Sequence, residues 1–398
     1  MQNDNLSKCC GCFSCQSRCP KNAITIPKSF FGPLPIQIDE AACIHCGLCE
    51  KLCPFPHPQL NPVKESYICY CKDNNYRNSG SSGGFFGLLA SRLLSEGWLI
   101  CGAAWNGLRV EHLIIDNVRD LYLLEKSKYV QSFLGNVFPR IQSLLSEKKK
   151  VAFVGTPCQV ESLKKYLNNS NLDNLLLIDF LCHGVPTQEV FNRFVDFEET
   201  RRKITILSFS FRSKSRRNPH SFSYIYHQNK STKQHKRTGF SYEFPYYQAY
   251  LSYSLFMEAC YSCPFAQEKR SGDITLGDGW GSEKIDKRFS TWGRHSGVSQ
   301  ILINSENGQK IFSIVSPFLE RTEITTDFIK RNNLSFKEPT KIPVDLFERI
   351  RHQTSDDFEK SVVSNFCPSK KQLFKAKLSD SLPRPVLELI HLIHHAMK

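Results

Sequence analysis

The chain has 398 residues, of which 40% are apolar and 23% charged, and carries a formal net charge of +14. That length allows two or three domains, each with a core of its own, and the composition excludes a disordered or a membrane-embedded chain. No apolar run reaches the roughly eighteen residues of a membrane span, and the longest candidates, "LLLIDFLC" and "WLICGAAW", have the length of buried strands.

The first residues, "MQNDNLSK", lack the basic region and apolar stretch of a secretory leader, so a cytoplasmic protein is expected. In that reducing compartment the 17 cysteines read as metal ligands before disulfides. The positive balance fits an evenly solvated basic surface, an anionic cofactor, an acidic partner or nucleic acid. Bound four-iron clusters would offset part of it, since each carries about two negative charges when oxidised.

The first cysteine run reads Cys9-x2-Cys12-x2-Cys15-x3-Cys19-Pro20, and the second Cys43-x2-Cys46-x2-Cys49-x3-Cys53-Pro54. This is the bacterial two-cluster ferredoxin spacing, present twice, and it predicts two [4Fe–4S] clusters. Three thiolates on a tight loop hold one side of a cubane, while the fourth, ahead of a proline, reaches across to the other cluster. Cys9, Cys12 and Cys15 are thus expected to share a cluster with Cys53, and Cys43, Cys46 and Cys49 with Cys19. Cys10 is left as a spare thiol. Zinc sites use two separated CxxC knuckles, which this compact pattern does not resemble. The CxxxCxxC of radical enzymes that cleave S-adenosylmethionine is missing too.

A proline-rich stretch, "PFPHPQLNPVKES", reads as the way out of a ferredoxin domain at 1–60 into a linker at 61–76. From Phe85 the apolar residues recur at helical spacing, with Gly97 as the C-cap. The preceding "GSSGG" is either flexible linker or a turn that brings backbone N–H groups to a phosphate. It is neither a Walker A loop nor GxGxxG. Strands and helices then alternate: "WLICGAAW" a strand, "LGNVFPRIQSLLSEKKK" a helix, "VAFVGTPCQVESLKKYL" and "NLLLIDFLCHGVPTQEVFNRFVDF" each a strand, turn and helix. Cys158 and Cys182 each follow an apolar strand, where open α/β sheets hold ligands; isolated buried thiols are the alternative. "CYSCPF" adds Cys260 and Cys263, which makes four thiols, enough for a third [4Fe–4S] cluster, although spacing does not group ligands from separate loops.

"GSSGGFFGLLASRLL", "KSKYVQSFLG", "VAFVGTPCQVESLKKYL", "DFLCHGVPT", "FSFRSK" and "CYSCPFAQEKRSGDITLGDGWG" follow one another in this order. Together they resemble the beta subunit of coenzyme F420-reducing hydrogenase and its relatives, which include F420-dependent dehydrogenase subunits, sulfite reductase components and a plant hydroxymethyl-chlorophyll reductase. The resemblance runs from the ferredoxin module to about residue 300. It implies an α+β and α/β chain, with a small ferredoxin domain followed by a mixed α/β FAD-binding domain at 77–305, and a cluster beside the flavin held by Cys158, Cys182, Cys260 and Cys263. It also implies flavin contacts from Ser82, Gly83 and Gly84, then from Lys128, Thr156 and Gln159, then from Arg270 and Asp273, with Asp278 the weakest of them. An ordinary ion pair holding a loop is the alternative for the Arg and Asp of "KRSGD". Relatives carry an aromatic where Gly279 stands, which implies a more open pocket here. Residues 306–398 form an extension with no readable motif.

The resemblance favours an iron–sulfur flavoprotein oxidoreductase of unidentified catalytic residues, exchanging electrons with a redox partner protein or with a small carrier such as F420, NAD(P)H or ferredoxin. Bacterial relatives beside polysaccharide-assembly genes imply a link to that biosynthesis. A ferredoxin-like adaptor without flavin is the second reading. Nucleic-acid binding by "RRKITILSFSFRSKSRRNPHSFSYIYH" is the third, set against a pair of strands with Ile204, Ile206, Phe209 and Phe211 facing a core. The C-terminal "VLELIHLIHHAMK" reads as an amphipathic helix for a partner or a membrane surface, with His391, His394 and His395 open to metal.

Overall fold

The computed structural model describes residues 9–29, 32–33, 36–168, 173–214, 220–228, 231–289, 297–341, 343 and 355–374. The C-terminal histidine stretch and part of the basic loop after Lys214 lie outside the described residues.

Each cysteine run folds into a loop and one short helix, α1 (Ser14–Arg18) and α2 (Leu48–Leu52). Their backbones follow the same course. Phe13 (φ 58°) and Gly47 (φ 68°) turn left-handed just before the helix, and Cys19 and Cys53 end it extended. Glycine accepts that turn without strain; a phenylalanine does not, and the Phe13 ring is held edge-on against Phe133 at 5.9 Å. Between the runs lie β1 (Ile24–Thr25), the hairpin β2 (Lys28–Ser29) and β3 (Gly32–Pro33), and β4 (Gln37–Ile38), which pairs with β1.

The chain continues through β5 (Glu65–Cys71), α3 (Asn74–Ser79), α4 (Phe85–Ser95), β6 (Leu99–Asn106), β7 (Arg109–Ile115), α5 (Leu121–Leu124), α6 (Val137–Ser146), β8 (Val151–Val154), α7 (Pro157–Tyr166), β9 (Leu175–Phe180) and α8 (Gln188–Arg202). After β10 (Ile204–Phe211), β11 (Ser221–Gln228) and β12 (His235–Phe240) come α9 (Pro245–Leu251), α10 (Glu258–Tyr261), β13 (Ile274–Asp278), β14 (Ser299–Ile303), α11 (Glu306–Val315), β15 (Leu319–Glu323), α12 (Thr326–Asn332) and α13 (Ser355–Phe366).

Eight strands form one mixed sheet in the order β15-β5-β14-β13-β9-β8-β6-β7. Its centre, β6, β8, β9 and β13, is parallel. Both faces of these strands are covered, which is why they read as unbroken apolar runs. Ala152, Leu176 and Ile178 join α4 and α11 in one core, while Val151, Phe153, Leu175 and Leu177 join α6 and α7 in another. A separate three-stranded sheet, β10-β11-β12, packs with α8 and α9 around Phe191, Phe209, Phe211 and Tyr246. Its first strand switches buried parity from Ile204 and Ile206 to Phe209 and Phe211 because a bulge falls between Ile206 and Ser208. The strand reading of this segment holds, and Phe209, Phe211, Phe222 and Tyr224 face a core. No helix among the described residues is long and apolar enough to cross a membrane.

Two expected boundaries are corrected. The stretch 61–76 contains β5, an inner strand paired with β14 and β15. The alternation in "ESYICYC" carries Ile68 and Cys69 to zero exposure, so the linker ends where the prolines end. The extension expected from 306 begins with α11, which packs on α4, and β15, which closes the sheet edge.

The segment after Cys263 is fastened to β9 by buried polar groups. Arg270 pairs with Asp179 at 3.5 Å and donates to the carbonyls of Phe265, Gln267 and Phe180 at 3.2 Å each. Asp179 also accepts from the amides of Ser271 (3.1 Å) and Gly272 (3.2 Å) and from the Thr275 hydroxyl. Asp273 accepts from the Leu177 amide at 2.8 Å and from the Ser305 hydroxyl. Arg270 and Asp273, both expected at the flavin, are each engaged with β9 here. The alternative of an ion pair holding a loop is the one found, with Asp179 rather than Asp273 as the partner.

Breaking a buried ion pair strands the other charge, so Arg270→Ala is expected to cost about 3–5 kcal/mol. Urea unfolding of the iron-free chain checks this; a variant as stable as the parent would remove the scaffold role. His112 offers a pH test. Its Nε2 donates to the Val154 carbonyl at 3.1 Å, so Nδ1 accepts from the Ser132 hydroxyl at 2.7 Å, and the ring stacks on Phe153. Burial first, then the nearby Lys128, lowers its pKa from 6.5 to about 4. The unfolded chain takes up this proton near 6.5 and the folded chain only near 4, so the stability is full above 6.5 and is lost as pH falls toward 4. His112→Gln is expected to lose less thermal stability than the parent between pH 7 and pH 5, by differential scanning calorimetry.

Candidate cluster and cofactor site

In the N-terminal module the thiols gather as the two runs require. Burial first, then Cys12, raises Cys9 to about 12, and Cys53 and Cys158 add to it. Burial likewise raises Cys15, with Cys12, Cys9 and Cys53 all adding. Cys9, Cys12, Cys15 and Cys53 thus share one neighbourhood. Cys19, Cys43, Cys46 and Cys49 line one cavity of about 280 Å³ beside α2.

Cys158, in the first turn of α7, lies at the carboxyl end of β8, and Cys182 lies just beyond β9. The α10 turn brings Cys260 and Cys263 to them. Burial raises Cys182 to about 12, with Cys158 and Cys263 adding; burial raises Cys260, with Cys182, Cys263 and Cys158 adding. Four thiols from three separate segments therefore meet at the carboxyl ends of parallel strands.

Two features bear on what these thiols can hold. Backbone amides point at the sulfurs: Gly11 N–H at Cys9 and Ala23 N–H at Cys19, each at 3.4 Å, Gly184 at Cys182, Val185 at Cys260, and Phe265 and Ala266 at Cys263. Such donors favour thiolate and tune cluster sulfurs. The described thiols are not gathered to the spacing of a single tetrahedral zinc. Zn–S bonds of about 2.3 Å put tetrahedral sulfurs about 3.8 Å apart. Among the described residues, only Glu40, Cys43 and His45 bring three ligand atoms within 4.8 Å of one another. The donor set, its crowding and its wider spacing fit four-iron clusters, whose positive irons relieve thiols that burial alone would keep protonated.

The "GSSGG" loop lies at the same end of the sheet. Gly83 rests on backbone, where a Cβ would fall 2.5 Å from the Cys69 carbonyl, and Gly84 at φ +88° begins α4. Ser82 donates to Asp278 at the end of β13. Asp278 accepts from Arg212 at 2.8 Å, and Arg212 also reaches the Ser81 carbonyl (3.1 Å) and Tyr129 (3.2 Å). Burial would raise Asp278, but the Arg212 guanidinium outweighs it and holds the carboxyl below its ordinary value. Lys214 donates to the carbonyls of Ser82 and Arg77; burial, then Arg212 and Arg77, lowers its pKa to about 7. Burial also lowers Lys126. Arg77, Lys126 and Arg212 thus gather around Lys214, on which Asp278 also acts, and the buried Arg212 Nε has no hydrogen-bond partner among the described residues. Trp280 lies under Arg212, with the His220 ring stacked on it at 5.4 Å. His183, next to Cys182, feels the charge of Asp278.

Of the remaining expected contacts, Lys128 donates to the carbonyls of Leu123 (3.1 Å) and Glu125 (2.7 Å). Thr156 and Gln159 form the capping box of α7, and the Thr156 hydroxyl lies 3.1 Å from the Cys158 sulfur. These three shape the site through the scaffold. Gly279 does not open a pocket: a Cβ there would meet Val298 at 2.6 Å, so the position points into packing. Arg212 and Lys214 were passed over as site residues, although they lie in the quoted "FSFRSK".

Comparison with known proteins agrees with this layout. Residues 8–56 match the 4Fe-4S dicluster domain and residues 148–327 match the C-terminal part of the coenzyme F420 hydrogenase/dehydrogenase beta subunit. One subunit of the F420H2 dehydrogenase of Methanosarcina mazei is 25% identical over 44% of this chain and 53% of its own length. The coenzyme F420-dependent sulfite reductase of Methanocaldococcus jannaschii is 28% identical over 39% of this chain and 25% of its own length. The chain thus spans about half of the first relative and a quarter of the second. A solved chain of the F420-reducing [NiFe] hydrogenase complex from Methanosarcina barkeri aligns with a TM-score of 0.45 at 15% identity, covering 75% of this chain and 96% of its own. The chain thus pairs a stretch similar to 4Fe-4S dicluster domains with a stretch similar to the C-terminal part of coenzyme F420 hydrogenase and dehydrogenase beta subunits.

Proposed function

We propose that the chain is an iron–sulfur flavoprotein oxidoreductase, which passes electrons between a two-electron carrier at FAD and three [4Fe–4S] clusters. The observation that carries this reading is the meeting of two chemistries at one end of the sheet. Four thiols with amide donors gather at the carboxyl ends of the parallel strands, the cations Arg77, Lys126, Arg212 and Lys214 gather at the "GSSGG" loop, and His183, next to Cys182, feels the charge of Asp278. On this reading Cys9, Cys12, Cys15 and Cys53 hold the first cluster, Cys19, Cys43, Cys46 and Cys49 the second, and Cys158, Cys182, Cys260 and Cys263 the third.

Bound FAD would take or give two electrons and exchange them singly with the clusters. The residues around it have distinct tasks. Arg77, Lys126, Arg212 and Lys214 would meet the two phosphates, whose charge would offset the burial and the neighbouring cations that hold Lys214 near 7. Ser82 and Asp278 fix the loop so that Arg212 stays in place. Trp280 and His220 supply a flat wall. Two relatives are named for coenzyme F420, which makes F420 a first carrier to test, with NAD(P)H and ferredoxin beside it and a protein redox partner as acceptor. No residue here argues for polysaccharide chemistry, and the reading stops at electron transfer.

Protein purified without oxygen and reconstituted is expected to hold about twelve irons, matching sulfide and one FAD per chain. About eight irons and no flavin would replace the reading with a flavin-free adaptor. Cys158→Ser is expected to lose about four of the twelve irons and retain the dicluster signal in electron paramagnetic resonance. Arg212→Ala is expected to lose FAD, by absorbance after gel filtration, while iron per chain stays at the parent's value; retained flavin would move the cofactor elsewhere.

A further inference from the structure

At the seam between the N-terminal module and the larger domain, side chains of the larger domain donate to the module's main chain. Gln131 Nε2 donates to the Cys10 carbonyl at 3.1 Å, Lys164 to the Gln59 carbonyl at 2.7 Å and Lys165 to the Cys53 carbonyl at 2.7 Å. The two lysines differ in what their charge meets. Lys164 pairs at 3.2 Å with Glu161, a fully buried carboxylate that also accepts from the Gln59 amide at 2.7 Å. Lys165 is half-buried, and among the described residues no carboxylate lies within ion-pair distance of it. Its ammonium is thus a charge without a counter-ion, fixed on the main chain of a residue read as a ligand of the first cluster. Arg18 also faces α7, but it is exposed and lies over the Tyr166 ring at 5.0 Å. The second thiol group has other surroundings: the carboxylates Glu40 and Glu50 line its cavity with Lys21 and His45, and Cys46 is exposed.

We propose that Lys165 makes the first cluster of the module easier to reduce than the second, so that an electron in the module rests beside the larger domain. The proposal rests on the dicluster part of the reading above, with Cys53 on the first cluster, and needs neither the third cluster nor the flavin. Reduction adds one negative charge to a cluster, and a cation held nearby favours that state. The bond to the Cys53 carbonyl keeps the ammonium from swinging into water, and a half-buried charge is screened less than the exposed carboxylates of the second group. When an electron crosses the module, the second cluster is oxidised by one electron and the first is reduced by one. No bond to Lys165 forms or breaks. Lys165 is on this account a positioning residue that acts through its charge. Because the larger domain supplies it, docking of the module and the potential of its inner cluster are set by one contact.

The test uses full-length protein reconstituted without oxygen as parent, Lys165→Met and Lys165→Arg, with iron and sulfide counted. Midpoints are read by potentiometric titration followed by electron paramagnetic resonance, and the dicluster signals are those that Cys158→Ser retains. Lys165→Met is expected to keep the parent's iron and to move the more positive dicluster midpoint negative by a tenfold change in the reduction equilibrium, about 59 mV for one electron. The other midpoint is expected to stay, and Lys165→Arg, which keeps the charge, is expected to match the parent. Unmoved midpoints in Lys165→Met with full iron would overturn the proposal, as would an equal shift of both. A shift as large in Lys165→Arg as in Lys165→Met would overturn it by making the contact, not the charge, responsible. Loss of about four irons in Lys165→Met would overturn it by making Lys165 a structural support for Cys53. The expected shift in a parent that holds only about eight irons and no flavin would support the proposal while overturning the flavoprotein reading.

Discussion

The carboxylate of Asp179 is the fixed point on which the cysteine site depends. It lies at zero exposure near the end of β9, three residues before Cys182. A buried charge is costly unless it is paired and hydrogen-bonded, and this one receives Arg270, two backbone amides and the Thr275 hydroxyl. Those partners all belong to the segment that follows Cys263. Satisfying one carboxylate therefore pulls the loop carrying Cys260 and Cys263 against the strand carrying Cys182. Gly272 shows how close the approach is, since a Cβ would fall 2.8 Å from the Asp179 amide nitrogen. The charge pair is thus a positioning device, placed where a thiol cluster needs ligands from distant parts of the chain to be held to a fixed spacing.

What could be read in advance follows from how local each signal is. The cysteine runs at Cys9–Cys19 and Cys43–Cys53 carry their geometry within eleven residues each, and the repeated left-handed turn at Phe13 and Gly47 is the backbone form of that repeat. The parallel strands were legible as apolar runs because both of their faces are covered. Strand β5 was hidden because a proline-rich stretch precedes it and its alternating "ESYICYC" is short. Among site residues, Arg212 was missed for a physical reason. Its partners are Ser81, Tyr129 and Asp278, each more than sixty positions away, so nothing near "FRSK" marks it as anything but a basic loop. Arg270 and Asp273 misled in the opposite way, since their closeness in sequence hid the fact that each is engaged with a different neighbour of β9.

Helix α7 joins the parts. Its first turn carries Cys158, and its capping box sets the direction of that turn. Seven residues on, about 10 Å along the axis, Lys165 donates to the Cys53 carbonyl at 2.7 Å, and Lys164 does the same for Gln59. The positive side chains therefore sit at the carboxyl end of the helix, where they also offset its dipole. One rigid element thus fixes the distance between the third thiol group and the module that docks on it. A loop in its place would let that distance vary, and electron exchange between centres depends on their being held close.

The exposure of the thiols gives this arrangement a direction. Burial raises the thiols of Cys182, Cys260 and Cys263, which are partly exposed. Cys10 and Cys12 lie at the seam, and Cys46 lies exposed on the far loop, beside Ile44 at 55% exposure. On the three-cluster reading, an electron entering beside Arg212 and Asp278 meets the third cluster first, then the first cluster, and last the cluster nearest solvent. A carrier that delivers two electrons would be met at the end where Arg212 and Asp278 hold charge. A protein that accepts them singly needs only an exposed edge, and the loop around Cys46 offers the exposed Ile44 to a partner. The two ends of the chain of thiols thus differ in the way that a two-electron and a one-electron exchange differ.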